Sequence, residues 1–273
     1  MTGLGEQIGR GRTSVVYAYG DDRVIKLYPK GEPRANIDYE AEVAALVHRL
    51  EIPSLACHGV VEVDGQAGVV FDRLHGPSLN EIAEKDILHL PAVCRVLADL
   101  QVALHAGRRP ELPDVRERAV ELLDTGTLKQ LSPTERDWLT EHLRGLPDGE
   151  AILHLDYHVQ NAFRHGDGHV IIDWYSARRG HPAADVAMSV VMMREVELFP
   201  GTPPLKLLLY QAARRVISHF YLRRYLQVTA VTKAEVEAWM TCARVLRLGE
   251  LDVPSERKRF LRRIRAAARA GRP

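Results

Sequence analysis

The sequence has only three cysteines, Cys57, Cys94 and Cys242, widely spaced and without a Cys-x-x-Cys pair. This excludes a disulfide framework and a thiolate metal site, and leaves the three as small core residues of a protein in a reducing compartment. No stretch approaches the roughly 18 consecutive apolar residues of a membrane span. The start, Met1 to Glu6, has no basic segment leading into an apolar run, so the cytoplasm is the expected location. Excess charge is lacking too. The 37 Lys and Arg offset 36 Asp and Glu to a formal net charge of +1, which gives no global field to draw in nucleic acid or a membrane, and neither is an expected partner. There is no internal repeat and no low-complexity segment. The local exception to charge balance is the tail from Ser255, a basic amphipathic segment expected to be a solvated final helix whose Phe260, Leu261 and Ile264 pack down.

What is present is an ordinary globular composition, 46% hydrophobic and 27% charged, in 273 residues, enough for one large domain or two modest lobes. Residues 4–72 read as β-rich. Short apolar runs at Val15–Tyr17, Val24–Leu27, Val60–Val63 and Gly68–Phe71 are bounded by turn signals at Gly20-Asp21-Asp22, Pro29 to Pro33 and Asp64-Gly65. Within this segment Ile37–Leu50 carries apolar residues at helical spacing (Val43, Leu46, Val47, Leu50), ended by Pro53. After Phe71 helices dominate. Ser78-Leu79-Asn80-Glu81 is a capping box, Leu88–Ala106 a long periodic helix, and Asp114 and Ser132 open two more. Helices are also expected over 183–194, 205–224, 233–248 and 256–270. The helical part is broken once, at 151–173, by short strand runs around the turn Gly166-Asp167-Gly168.

That break holds the densest polar cluster, His154-Leu155-Asp156-Tyr157-His158-Val159-Gln160-Asn161, followed by Ile172-Asp173-Trp174. Phosphoryl transfer needs an Asp to orient and deprotonate an acceptor hydroxyl, and oxygen ligands for the Mg²⁺ that bridges the phosphates. Asp156 fits the first requirement, as the catalytic base, and Asn161 with Asp173 fits the second, as metal ligands. The pattern resembles the catalytic-loop motif of aminoglycoside phosphotransferases, His-Gly-Asp-x-His-x-x-Asn followed by Ile-Asp-Trp, with Leu155 in place of the usual Gly. The resemblance continues through Ala177 to Ala187 and takes in Leu104-His105-Ala106 and Leu112 to Arg118.

It implies an α+β, bilobal, protein-kinase-like fold, with a small β-rich N-lobe over 1–72, a hinge at 73–77 and a helical C-lobe over 78–273. It also implies an ATP- and Mg²⁺-dependent kinase acting on a small hydroxylated molecule, an aminoglycoside-type antibiotic or amino sugar being the lead acceptor, with another metabolite or a macrolide as the alternative. In such a fold Gly9, Gly11 and Ser14 form a loop over the phosphates. Lys26 in Val-Ile-Lys-Leu contacts phosphate and is held by a helix glutamate. Glu42 is expected in that role because its face continues into Leu46 and Leu50, with Glu40 as competitor. Asp72 and Leu74 lie at the adenine-binding hinge, His158 takes a position suited to phosphate contact or loop packing, and Asp185 fastens the catalytic loop or caps a helix. A polycationic acceptor would look for carboxylates, and the second lobe offers Glu195, Glu197, Glu235, Glu237, Glu250 and Asp252 without an evident cluster.

Three rival readings are weaker. A zinc hydrolase would use His154, Asp156, His158, His165, His169 and His181 but leaves Lys26 and the glycine loop unexplained. A protein Ser/Thr kinase would need Phe-Gly after Asp173, where Trp174-Tyr175 stands. A catalytically dead nucleotide-binding module would usually lack one of the Lys, base or metal positions.

Overall fold

The computed structural model describes residues 3–11, 14–196 and 203–271. The chain divides into two compact units, Met1–Asp86 with Val159–Ala177, and Ile87–His158 with Arg178–Pro273. Segment 159–177, which the sequence reading assigns to the C-lobe, thus packs with the N-terminal residues.

The first unit is built on a five-stranded sheet in the order β1-β2-β3-β5-β4, with β1 Gln7–Arg10, β2 Val15–Ala18, β3 Arg23–Leu27, β4 Cys57–Val63 and β5 Gln66–Asp72. Every pairing in it is antiparallel. Alternation along β3 and β5 sorts the side chains onto two faces. Ile25, Leu27 and Val70 form one cluster, packed with Tyr17, Val61 and Val63. Tyr28 and Val69 join Ile37 and Ala41 of α1, Arg34–Arg49, on the other. Helix α1 buries Ile37, Glu40, Ala41, Val43, Ala44 and Val47, a stripe set about one position earlier than the one read from Leu46 and Leu50. The hairpin of β7, Ala162–His165, and β8, Gly168–Ile171, belongs to this unit. Ile171 donates its N–H to the Pro53 carbonyl at 2.9 Å and Arg164 donates to Pro77 at 3.0 Å. Gly76 makes the approach possible, since a Cβ there would lie 1.8 Å from the Arg164 carbonyl oxygen. Helix α2, Leu79–Lys85, follows with the expected Ser78–Glu81 capping box complete.

The second unit is helical. A 3₁₀ turn at Ile87–His89 precedes α3, Leu90–Ala106, because Pro91 in the first turn sets the helical start there instead of at Leu88. Helices α4, Val115–Leu122, and α5, Pro133–Arg144, flank a second 3₁₀ turn, Gly126–Gln130. Helix α6, Pro182–Arg194, is buried along its whole length from Ala183 to Met193, and α7 Pro204–Val228, α8 Lys233–Leu251 and α9 Pro254–Ala270 complete the unit. Trp239, Tyr157, Tyr221, Tyr225 and Phe260 are among its largest fully buried side chains.

Strand β6, Ala151–Leu153, pairs antiparallel with β9, Arg178–Gly180, an element not expected from the sequence. Arg-Arg-Gly has little strand propensity of its own. The β6 ladder and the ion pairs of Arg179 with Asp114 (3.1 Å) and Asp148 (3.2 Å) hold it extended.

Candidate active site

In the first unit, Lys26 lies on the α1 face of β3 and is 9% exposed. Its Nζ donates to Glu40 Oε1 at 2.7 Å and Oε2 at 3.0 Å, and to Asp173 Oδ1 at 2.7 Å. Burial works to lower the Lys26 pKa, and the charges of Asp173 and Glu40 together outweigh it, so the ammonium is held more firmly protonated than a free lysine. Burial raises the Glu40 carboxyl while Lys26 pulls it down; at 2.7 Å, we take the pair as ionic.

Glu42 is not the partner. It is exposed on α1, two residues and therefore about 200° round the helix from Glu40, which is fully buried beside Ile37 and Ala41. The sequence reading took the stripe through Leu46 and Leu50, but those side chains are only partly buried; the sheet-facing stripe runs 37, 40, 41, 44, 47. Accordingly, Glu40→Gln is expected to lower unfolding stability by about 1–3 kcal/mol, through loss of the buried pair with partial rescue by Asp173. Glu42→Gln is expected to stay within about 0.5 kcal/mol of the parent. Chemical denaturation of the two variants checks this, and equal effects would refute the pairing.

Tyr28 and Tyr175 were not singled out in the sequence. Tyr28, just past the end of β3 and two residues from Lys26, donates its hydroxyl to Glu40, and its ring lies 5.5 Å from Lys26 Nζ. Tyr175 stacks on it at 6.5 Å between ring centroids and donates to Glu32 at 2.7 Å. Strand alternation could have found Tyr28; Tyr175 carried no local signal.

The β7–β8 hairpin brings Asn161 and Asp173 to one end of the same unit, with Ile172 N–H donating to the Asn161 carbonyl at 3.0 Å. Asn161 is 9% exposed, whereas the Asp173 side chain is 40% exposed. Asp173 adopts φ 71°, a left-handed conformation that Asp tolerates better than most residues. Two neutral or anionic oxygen donors of this kind suit Mg²⁺, which completes its shell with phosphate oxygens and water. Among the described residues no group of three or more His, Cys, Asp or Glu side chains is placed to hold a metal.

Gly9 and Gly11 lie on the β1–β2 hairpin, where Gly11 N–H donates to the Ser14 carbonyl at 2.9 Å and Ser14 is buried; Arg12 and Thr13 lie outside the described residues. At both glycines an added Cβ would meet only ordinary contacts, at 3.5 Å or more, and neither glycine has a positive φ. Asp72 ends β5, with its N–H spent on the Ala56 carbonyl at 3.1 Å and its carboxylate 2.7 Å from His58 Nε2. Leu74, just beyond β5, is partly buried.

In the second unit the segment from His154 to His158 is pinned at three points. Leu155 N–H donates to Asp185 Oδ1 at 2.6 Å, Tyr157 donates its hydroxyl to the Leu97 carbonyl at 2.7 Å, and Asp156 N–H donates to His154 Nδ1 at 3.2 Å. Leu155 sits at φ 61°, a conformation that favours glycine and costs a bulky residue on the order of 1–3 kcal/mol. Its buried side chain and its bond to a carboxylate offset that cost.

Asp185 is fully buried and also accepts from Gln101 Nε2 at 2.9 Å and His105 Nε2 at 3.0 Å. Burial would raise its pKa, but the hydrogen bond and charge of His105, with His154 and Gln101, bring it below the usual carboxylate value. On its other side His105 Nδ1 lies 2.6 Å from the Tyr225 hydroxyl. Asp156 itself keeps 31% of its side chain exposed, with His158 Nε2 3.7 Å away. His181, which the zinc reading would use, caps α6 through its Nδ1 and lies 3.7 Å from Glu235.

The profile of the phosphotransferase enzyme family matches residues 5–200. No curated protein matches the sequence. Among solved structures, a putative fructosamine-3-kinase from Haemophilus somnus is similar at 12% identity with a TM-score of 0.62, covering 96% of this chain and 92% of that one. A choline/ethanolamine kinase family protein from Mesorhizobium loti is similar at 17% identity and TM-score 0.55, covering 98% and 87%. An aminoglycoside phosphotransferase from Streptomyces rimosus in complex with ADP and streptomycin is similar at 16% identity and TM-score 0.56, covering 90% and 92%. At such identities these three speak for the fold alone. The family rests on the profile, which spans most of the 273 residues: the chain belongs to the phosphotransferase enzyme family, that of the aminoglycoside phosphotransferases, and is a kinase in its fold and in its chemistry.

Proposed function

We propose that this kinase moves the γ-phosphoryl group of ATP to a hydroxyl of a small molecule, with Asp156 as the catalytic base. The observation that carries the reading is the buried Lys26, a cation fixed by Glu40 and Asp173 in one unit, where a kinase needs an ordered positive charge for phosphate oxygens. Gly9 and Gly11, which the fold does not demand, carry no side chain that would keep phosphates from the hairpin backbone, although the Gly11 N–H is itself given to the Ser14 carbonyl. Adenine would take its hinge hydrogen bonds at Leu74 and from the Asp72 carbonyl, because the Asp72 N–H is engaged. Asn161 and Asp173 would hold Mg²⁺, which supplies charge neutralisation of the phosphates. Asp156 orients the acceptor hydroxyl and takes its proton as the new O–P bond forms and ADP leaves. His158, 3.7 Å from Asp156, is placed to steady that carboxylate or to donate to a phosphate.

The family's lead acceptor is an aminoglycoside or amino sugar, and a polycation of that kind needs carboxylates to receive it. Most of the expected ones are engaged. Glu195 pairs with Arg244 at 2.9 Å and with Arg263. Glu250 pairs with Arg118 at 2.8 Å, and Asp252 accepts from Thr127 at 2.6 Å and pairs with Arg257. Glu235 completes the Thr232 capping box, and Glu237 lies 3.3 Å from Lys233. Glu197 lies outside the described residues. These pairings favour the alternative, a hydroxylated metabolite or macrolide bearing few positive charges.

Mg²⁺ and ATP at millimolar concentration are expected to raise the melting temperature of the parent by mass action. Asp173→Ala should abolish most of that shift while keeping the Lys26–Glu40 pair. A coupled assay against aminoglycosides, amino sugars, macrolides and small hydroxylated metabolites then identifies the acceptor. No thermal shift in the parent, or an undiminished one in Asp173→Ala, would overturn the nucleotide and metal assignments.

A further inference from the structure

Helix α9 carries a cationic stripe that the phosphotransfer chemistry does not use. Lys258, Arg262, Arg265 and Arg269 recur at i, i+4, i+7 and i+11, and so share one face over about 16 Å of helix axis. With Arg257, Leu261, Thr127 and Gln130 they line a groove of about 540 Å³ between α9 and the second 3₁₀ turn. Five of the eight lining residues are cations and none is acidic.

Two of the arginines have a distant partner, since Arg265 and Arg269 lie 3.6 and 3.9 Å from the carboxylate of Glu135, and Arg257 pairs with Asp252 at 2.9 Å. Lys258 and Arg262 are exposed and make no ion pair among the described residues. Like charges one turn apart on a helix repel. A bound polyanion turns that repulsion into attraction.

We propose that this groove binds a linear oligophosphate, a chain of phosphate groups spanning the stripe. The lining chooses among anions. It contains no aromatic ring on which a nucleobase could stack. Its one apolar residue, Leu261, is 7% exposed, and Phe260 and Ile264 are buried, so the helix offers no apolar face for insertion into a lipid surface. What remains is a row of guanidinium and ammonium donors, which recognise anionic oxygens, and the repeating charges of a phosphate chain match the repeating cations of the stripe.

The test is calorimetric titration of the full chain with short-chain inorganic polyphosphate in saturating Mg²⁺ and ADP, which keeps the nucleotide site occupied. Binding that weakens as salt rises is expected. The double variant Lys258→Glu, Arg262→Glu should bind at least about tenfold more weakly, with unchanged melting temperature and phosphotransfer rate, whereas Arg215→Glu, an exposed cation of α7, should bind like the parent. The proposal is overturned if the double variant binds as well as the parent, if Mg²⁺ and ADP abolish polyphosphate binding, or if an RNA oligonucleotide or phosphatidylserine vesicles bind the groove more tightly than polyphosphate does.

Discussion

Asp156→Asn is expected to lower kcat by about 10²–10⁴-fold, with nucleotide affinity and melting temperature close to those of the parent. The substitution keeps the size of the side chain and removes its charge and basicity. The backbone around it is held by groups that the substitution leaves in place: Leu155 N–H on Asp185, the Tyr157 hydroxyl on Leu97, and Asp156 N–H on His154. The Asp156 side chain is partly exposed, at 31%, and Asn fills the same volume, so its packing is kept. If Asp156 were a structural loop residue, stability and activity would instead fall together. Both quantities should be measured on one preparation with the acceptor found by the screen; a rate within a few-fold of the parent would refute the base assignment.

Asp185→Ala is expected to show the opposite signature, a loss of about 3–5 kcal/mol of stability with activity lost because the catalytic segment is no longer fixed. Three donors, Leu155 N–H, Gln101 and His105, would be left in a fully buried site. Such a loss is a large part of the roughly 5–15 kcal/mol that holds a typical domain together. The pH dependence has a definite sign. The carboxyl of Asp185 is depressed in the folded state, so its contribution is present above the unfolded value near pH 4 and disappears as pH falls through the lower folded value. Asp185→Asn should therefore flatten the acid limb of the parent's stability curve below about pH 4. Urea denaturation across that range measures it, and a melting temperature within a degree or two of the parent for Asp185→Ala would show that the network carries no such weight.

The capping boxes at Ser78 and Ser132 and the long helical runs were legible because each is a local pattern satisfied within one turn or one period. The segment proposed to be catalytic could be picked out for a related reason, since Asp156, His158 and Asn161 sit within six residues and the motif is carried by residue type and spacing. Strand β9 was not legible, because Arg178–Gly180 is extended only through pairing with β6 and ion pairs to Asp114 and Asp148, partners 25 or more residues away in sequence.

The choice between Glu40 and Glu42 turned on helix phase. Two apolar stripes overlap on α1, and which of them faces the sheet is fixed by the packing of Ile37 and Ala41 against Tyr28 and Val69. The sequence by itself determined the reaction class and pointed to the residues proposed to carry its chemistry, because a motif depends on side-chain identity at short range. Only the tertiary structure decided that Glu40 and Asp173 hold Lys26, and that Gln101, His105 and Tyr225 stand behind Asp185. Those partners lie 14 to 147 residues apart, and burial brings them together to satisfy charges that water would otherwise solvate.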